Sequence, residues 1–234
     1  DERELEGSAV LDEFAIGARG LTGAAYRGHV FWDSEVFVVP ALSAIAQDGA
    51  RRALNYRWNR LSAATDRARS EGRRGARLPW ESAEDGTEVT PTTGTTVQGE
   101  TVEILTGSLE DHITADVAWA VWDHVNWTGD DAYLAGHGLD LLVGAARYWA
   151  DRIEVDADGS AHIRHVIGPD EYHEDVDDNV FTNSMARHAL DVAAQAARRF
   201  ARCDEQEIRA VTAVLANIIS EPFFSEMRTR QQLC

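Results

Sequence analysis

Apolar residues recur at helical spacing through most of this chain, and the segments that break the rhythm are long; no other feature constrains the fold as much. Residues 35–47 form a nearly all-round apolar helical run through Val36, Val39 and Ile45, with a break or tilt expected at Pro40. Residues 50–71 place Leu54, Trp58, Leu61 and Thr65 at helical spacing, and Gly72 and Gly75 stop the run. The pattern resumes at residues 112–127 (Ile113, Val117, Val121, Trp122) and 139–152 (Leu142, Ala145, Ala146, Trp149). Two further helices are expected at 183–203 (Met185, Ala189, Val192, Ala196, Phe200) and 204–220. Little reads as strand. Residues 78–109, rich in Thr, Val and Gly, predict a long loop with at most a short hairpin, and loops of that length in a compact domain are usually functional or disordered.

Six helices in three successive pairs, with long loops at alternating ends, fit an array of helical hairpins better than a four-helix bundle with short connections. No short sequence repeat supports a solenoid of identical units. A toroid of hairpins repeats structure without repeating sequence, and it brings the loops of one end together.

With 44% hydrophobic residues and seven Trp in 234 residues, the chain can bury a sizeable core as one large domain or two small ones. Its 22 cations are all Arg and face 40 acids, for a formal charge of -18. That balance argues against nucleic acid, which is bound through clustered cations, and against an anionic membrane surface. Cys203 and Cys234 have no zinc-like spacing, so a reduced, cytoplasmic setting is expected. His124, His137, His162, His165 and His188 lack metal-ligand spacing, and neither metal nor organic cofactor is expected. No apolar run approaches the roughly 20 residues needed to span a bilayer.

Three loops carry the residues capable of chemistry. "YRGHVFWDSE" gathers Arg27, His29, Trp32, Asp33 and Glu35 around Gly28; "LPWESAEDG" sets Trp80 beside Glu81; "GPDEYHEDVDDN" crowds Asp170, Glu171, Glu174, Asp175, Asp177 and Asp178 after a Gly-Pro turn. An indole beside a carboxylate suits a sugar, because the ring packs on the C–H face of a pyranose while the acid accepts hydrogen bonds from its hydroxyls. A plainer alternative makes each Trp a core residue, Asp33 a helix cap and the acidic segment a solvated loop. His112, at a helix start, either faces the site or is a surface residue or loop anchor.

The three stretches "GARGLTGAAYRGHVFWDSEVFVVP", "LPWESAEDGTEVTP" and "GPDEYHEDVDDNVFTN", in content, order and approximate spacing, resemble the signature segments of glycoside hydrolase family 65. That family comprises maltose, trehalose and kojibiose phosphorylases and related hydrolases. The resemblance runs from about Ala15 to Ser220 and implies an all-α fold, about half of an (α/α)6 barrel. Residues 1–234 would be its N-terminal portion, with the family's β-sandwich and remaining hairpins outside the sequence. It further implies inverting phosphorolysis of an α-linked glucose disaccharide, with inorganic phosphate as co-substrate and a homodimeric state. By similarity Glu171 is the general acid, and Arg27, Trp32, Asp33, Trp80 and Glu81 shape the subsite for the transferred glucosyl ring. Tyr172, His173 and Asn183 fall in a segment that the family uses near the leaving sugar.

A glycosidic oxygen leaves readily only when a carboxylic acid protonates it. Neighbours such as Asp170, Glu174 and Asp175 would favour the protonated form of a carboxyl if close and desolvated; if they point to solvent, burial alone does so. Glu174 is the nearest rival for the acid. Inverting hydrolysis and a non-catalytic glycan-binding module are the alternative functions. The stretch "EDHITADVAWAVW" departs from the maltose and trehalose phosphorylase pattern, and the absence of Lys means that the family's Lys-Gln pair lies elsewhere.

Overall fold

The computed structural model describes residues 15–20 and 25–201. The helix expected at 204–220, with Cys203 and Cys234, lies outside the described residues. The main helices are α1 (Val39–Ile45), α2 (Gln47–Asn59), α3 (Leu61–Ser70), the short α4 (Thr106–Leu109), α5 (Ile113–Thr128), α6 (Leu139–Arg152) and α7 (Val180–Phe200). Two small antiparallel hairpins decorate the connections: β1 (Thr93–Thr95) with β2 (Thr101–Glu103), and β3 (Glu154–Val155) with β4 (Ala161–His162). The first of these is the hairpin expected within residues 78–109.

The first helical run is not one α-helix broken at Pro40. A π-helical turn, Ser34–Val38, leads into α1, and Pro40 sits in the first turn of α1, where its missing N–H costs little. Nor is the run buried on all sides, since Phe37 is 61% and Ile45 83% exposed. The run at 50–71 divides at Arg60, which leaves helical geometry at φ -109 and ψ 10. Its guanidinium lies 3.9 Å from the Tyr56 ring and donates to the Glu84 carbonyl, so a tie to the second loop overrides helical continuity there.

Helix ends follow local chemistry. Asn179 caps α7 by accepting from the Thr182 N–H at 3.1 Å, and α5 stops at Gly129, whose φ of 70 glycine adopts freely. The core lies where α7 packs on α6 and α5, and α5 packs on α1. Ile113, Val117, Val121, Leu142, Trp149, Ala189 and Leu190 are fully sealed there. Tight packing at this seam relies on small residues: Ala145, Ala189, Ala193 and Ala196 let the helix backbones approach. Among the described residues no helix is long and apolar enough to cross a membrane.

Candidate active site

The first loop opens in strained backbone. Tyr26 and Arg27 take left-handed φ values of 59 and 52 before Gly28 at 79, a conformation that costs non-glycine residues energy and recurs at functional sites. The loop then pairs with the second one through Val30 N–H to Ser82 O at 3.1 Å and Ser82 N–H to Val30 O at 2.9 Å. His29 Nδ1 lies 2.6 Å from Glu81 Oε1 across the same junction. Consequently the indoles of Trp32 and Trp80 stack, with centroids 6.4 Å apart and planes at 28°. Phe31 meets Trp80 edge-on at 6.0 Å.

The second loop is gripped by one carboxylate. Glu88 accepts from the backbone N–H of Trp80 at 2.7 Å, of Glu81 at 3.2 Å and of Thr90 at 3.0 Å, and from Arg67 at 2.9 Å. An anion that draws three backbone donors from both sides of the loop inward fixes the turn that presents Trp80 and Glu81.

The third loop is tied down by its own acids. Asp170 pairs with His173 at 2.9 Å, Asp175 with His165 at 2.7 Å and Asp178 with His162 at 2.6 Å, while Asp177 accepts from the His165 N–H at 3.1 Å. Asp178 also accepts from the Ile163 N–H at 3.1 Å. Burial alone would raise the Asp178 carboxyl, but the His162 and Ile163 hydrogen bonds hold it below its ordinary value. Asp170, Asp175, Asp177 and Asp178 therefore shape the turn through these partners, while Glu174 is exposed.

A cavity of about 680 Å³ opens where the loops meet, and Arg27, Trp32, Asp33, Trp80, Glu81 and Glu171 all line it. Glu171 is exposed at its edge. Three other residues named from the sequence are not among its lining. Tyr172 is 98% exposed, His173 is turned to Asp170, and Asn183 is buried, donating to Asp178 Oδ1 at 3.2 Å. Glu174 is exposed and does not line the cavity.

Sequence reasoning missed the groups that hold the loops together. Asp111 is buried and accepts from two arginines: Arg77 Nε at 2.9 Å, three residues ahead of Trp80, and Arg152 Nε at 3.0 Å. Arg152 also donates to the carbonyls of Arg164 and His165, on the approach to the Gly-Pro turn. His112 is not a surface residue; it is fully buried, with Nδ1 2.6 Å from Asp116 Oδ2. The available signal was the i,i+4 spacing of a His and an Asp inside the otherwise apolar start of α5. Among the described residues no group of three or more His, Cys, Asp or Glu is placed to hold a metal ion.

A helical scaffold whose loops gather stacked indoles and carboxylates around one cavity is of the kind an α-helical carbohydrate-active protein would present. The chain belongs to glycosyl hydrolase family 65: the description of that family's central catalytic domain matches residues 6–232. It is similar to a kojibiose phosphorylase of Caldanaerobacter subterraneus, 46% identical over 174 residues, which cover 74% of this chain and 23% of that protein. A kojibiose phosphorylase of Escherichia coli is 39% identical over 206 residues, 87% of this chain and 27% of its own. A kojibiose hydrolase of Flavobacterium johnsoniae is 39% identical over 178 residues, 76% of this chain and 25% of its own. The chain thus spans about a quarter of the length of these curated relatives. A solved structure described as a putative kojibiose phosphorylase from human microbiome shares the fold, with a TM-score of 0.75 over 89% of this chain and 31% of its own at 22% identity.

Proposed function

We propose that this chain is the N-terminal portion of an (α/α)6-barrel catalytic domain that cleaves an α-linked glucose disaccharide by inverting phosphorolysis. The products are β-glucose 1-phosphate and a free sugar. The observation that carries this reading is the convergence of Trp32–Asp33, Trp80–Glu81 and Glu171 on one cavity in a chain of family 65. The indole pair offers a platform for the apolar face of a glucosyl ring, and Asp33 and Glu81 offer acceptors for its hydroxyls. Glu171, at the edge, is the general acid and gives its proton to the glycosidic oxygen as the C–O bond breaks. Its exposure leaves it open to reprotonation from solvent between turnovers.

Inorganic phosphate arrives ionised and attacks the anomeric carbon from the opposite face without a base. Water in that place would need a second carboxylate about 6.5–9.5 Å from the acid. Hydrolysis is the second reading, favoured by the 39% identity to a kojibiose hydrolase. The homodimer and the cytoplasmic setting rest on the family resemblance and on the cysteine content alone.

The test uses the protein expressed at the full length of its open reading frame, incubated with kojibiose, trehalose, maltose and nigerose with and without inorganic phosphate and followed by NMR. Phosphate-dependent β-glucose 1-phosphate supports the phosphorylase and names the linkage. Phosphate-independent glucose selects the hydrolase. Sugar binding without turnover of any substrate would leave a glycan-binding module.

A further inference from the structure

Behind the Trp pair lies a buried ionisable cluster that the cleavage scheme does not use. The side chains of Glu110, His112 and Asp116 are all sealed from solvent. The His112 ring is boxed edge-on by Trp32, Trp80 and Phe181, at centroid distances of 5.2, 5.4 and 5.1 Å. Its Nδ1 is held by Asp116, while its Nε2 faces Glu110 Oε1 at 3.6 Å, outside hydrogen-bonding length. Neither that nitrogen nor either Glu110 oxygen has a hydrogen-bond partner.

Glu110 stands close to the cavity by its backbone. Its N–H donates to the carbonyl of Thr106, a cavity-lining residue, at 2.9 Å. The preceding carbonyl, of Leu109, accepts from the Ile167 N–H at 3.0 Å, which sets Glu110 alongside the segment leading to Glu171. A buried carboxyl with unsatisfied oxygens costs stability that an apolar side chain of the same size would not. Such groups persist where their charge has a use.

The charges facing Glu110 are His112, Asp116 and Glu171, and behind Asp116 stand Glu35 and Arg57, which pair with each other. Burial alone would lower His112, but its hydrogen bond to Asp116 and the nearby Asp116 and Glu110 carboxylates outweigh it and raise the imidazole to about 9, so it is cationic at neutral pH. Burial pushes the Asp116 carboxyl up too, against its hydrogen bond to His112, so behind the indoles one imidazole stands between two buried acids, Asp116 and Glu110. Burial pushes Glu110 up to about 7, with Glu171 and Asp116 acting in the same direction against His112.

We propose that the Glu110 carboxylate supplies the negative field that favours a positively charged sugar ring in the cavity formed by Trp32 and Trp80. The inference rests on the glycoside-cleaving reading. Breaking a glycosidic bond leaves oxocarbenium-like positive charge on the ring, and a fixed anion in a dry, low-dielectric setting stabilises that charge without touching it. The ligand class is a cationic pyranose, of which a protonated iminosugar is the stable mimic.

The experiment titrates the full-length protein and its Glu110→Gln variant with glucose and with isofagomine, an iminosugar that stays protonated over the range used, by calorimetry between pH 6 and 7.5. The expected result is glucose affinity within about twofold of the parent and isofagomine affinity about tenfold weaker at pH 7.5. In the parent, isofagomine should also bind more tightly as pH rises through 7, a trend absent from the variant. Glu110→Met is the second variant, and thermal unfolding without sugar should show a midpoint in both variants no lower than the parent's, because an unpartnered carboxyl has been removed. Equal loss of both ligands, unchanged affinity for both, or a lowered midpoint would overturn the proposal while the cleavage reading stands. A parent that binds neither ligand and cleaves no α-glucoside overturns both.

Discussion

Arg57 and Glu35 bind each other through two hydrogen bonds, Nε to Oε1 at 2.8 Å and Nη2 to Oε2 at 2.9 Å, with both side chains closed to solvent. Arg57 Nη2 also donates to the Phe31 carbonyl at 3.3 Å. The pair therefore clamps α2 to the π-helical turn that follows Trp32 and Asp33. Burial would lower the guanidinium pKa, but the Glu35 carboxylate more than offsets that and holds it above the ordinary arginine value.

Removing one partner strands a charge in the core, so Glu35→Gln should lower stability by about 3–5 kcal/mol in urea unfolding. The double replacement Glu35→Leu with Arg57→Met should cost much less than the sum of the single changes. Additive losses would show that the pair acts as two independent packing groups.

Asp111 should behave as the hub of two loops. It is the shared acceptor of Arg77 and Arg152, one leading to Trp80 and the other bracing the carbonyls before the Gly-Pro turn. Asp111→Ala leaves two buried guanidinium groups short of an acceptor, and a loss of about 3 kcal/mol in thermal or urea unfolding is expected. In protein that remains folded, turnover should fall by at least about tenfold, since small misplacements of reacting groups are expensive. Full turnover in folded Asp111→Ala would show that the two loops hold their positions without it.

Glu171→Gln tests the acid itself. The side chain is exposed, so the unfolding free energy should stay within about 0.5 kcal/mol of the parent. Turnover of the preferred disaccharide should drop by about 10²–10⁴ while sugar binding persists. If Glu174→Gln gives that loss and Glu171→Gln does not, the role moves three residues along the loop.

What the sequence disclosed was periodic or local. Apolar positions at 3.6-residue spacing marked α5, α6 and α7, because burial of one stripe needs that repeat. The loops bearing Trp32, Trp80 and Glu171 stood out by their residue types, and all three line one cavity. The division at Arg60 was hidden, because what ends α2 is a contact with Glu84 in another loop rather than a local breaker. The role of the acid crowd after Pro169 was hidden likewise. His162 and His165 lie before the turn and reach acids that follow it, and spacing along the chain does not show which partner a side chain finds. Glu110 draws no reading from the sequence and His112 is open there between the site and the surface; the burial of both, and the packing of His112 against two indoles, set them apart.

The same burial makes stability depend on pH in a defined direction. Glu110 rises from 4.5 to about 7 on folding, chiefly through burial, so its proton is held more tightly in the folded state. That contribution is complete below the unfolded value and is lost as pH climbs through 7. His112 rises from 6.5 to about 9, because Asp116 and Glu110 outweigh burial, and its contribution is lost on the way to 9. Asp178 works the other way: its folded value is depressed below 3.8, so its contribution is present above that value and disappears as acid protonates the folded group. Stability in urea should therefore peak in the mildly acidic range and decline toward alkaline pH, at up to about 1.4 kcal/mol per pH unit for each group while it titrates. Glu110→Gln should flatten the segment between pH 5 and 7 and leave the segment between 7 and 9 sloping. Parallel curves for parent and variant between pH 5 and 7 would mean that Glu110 takes up no proton on folding.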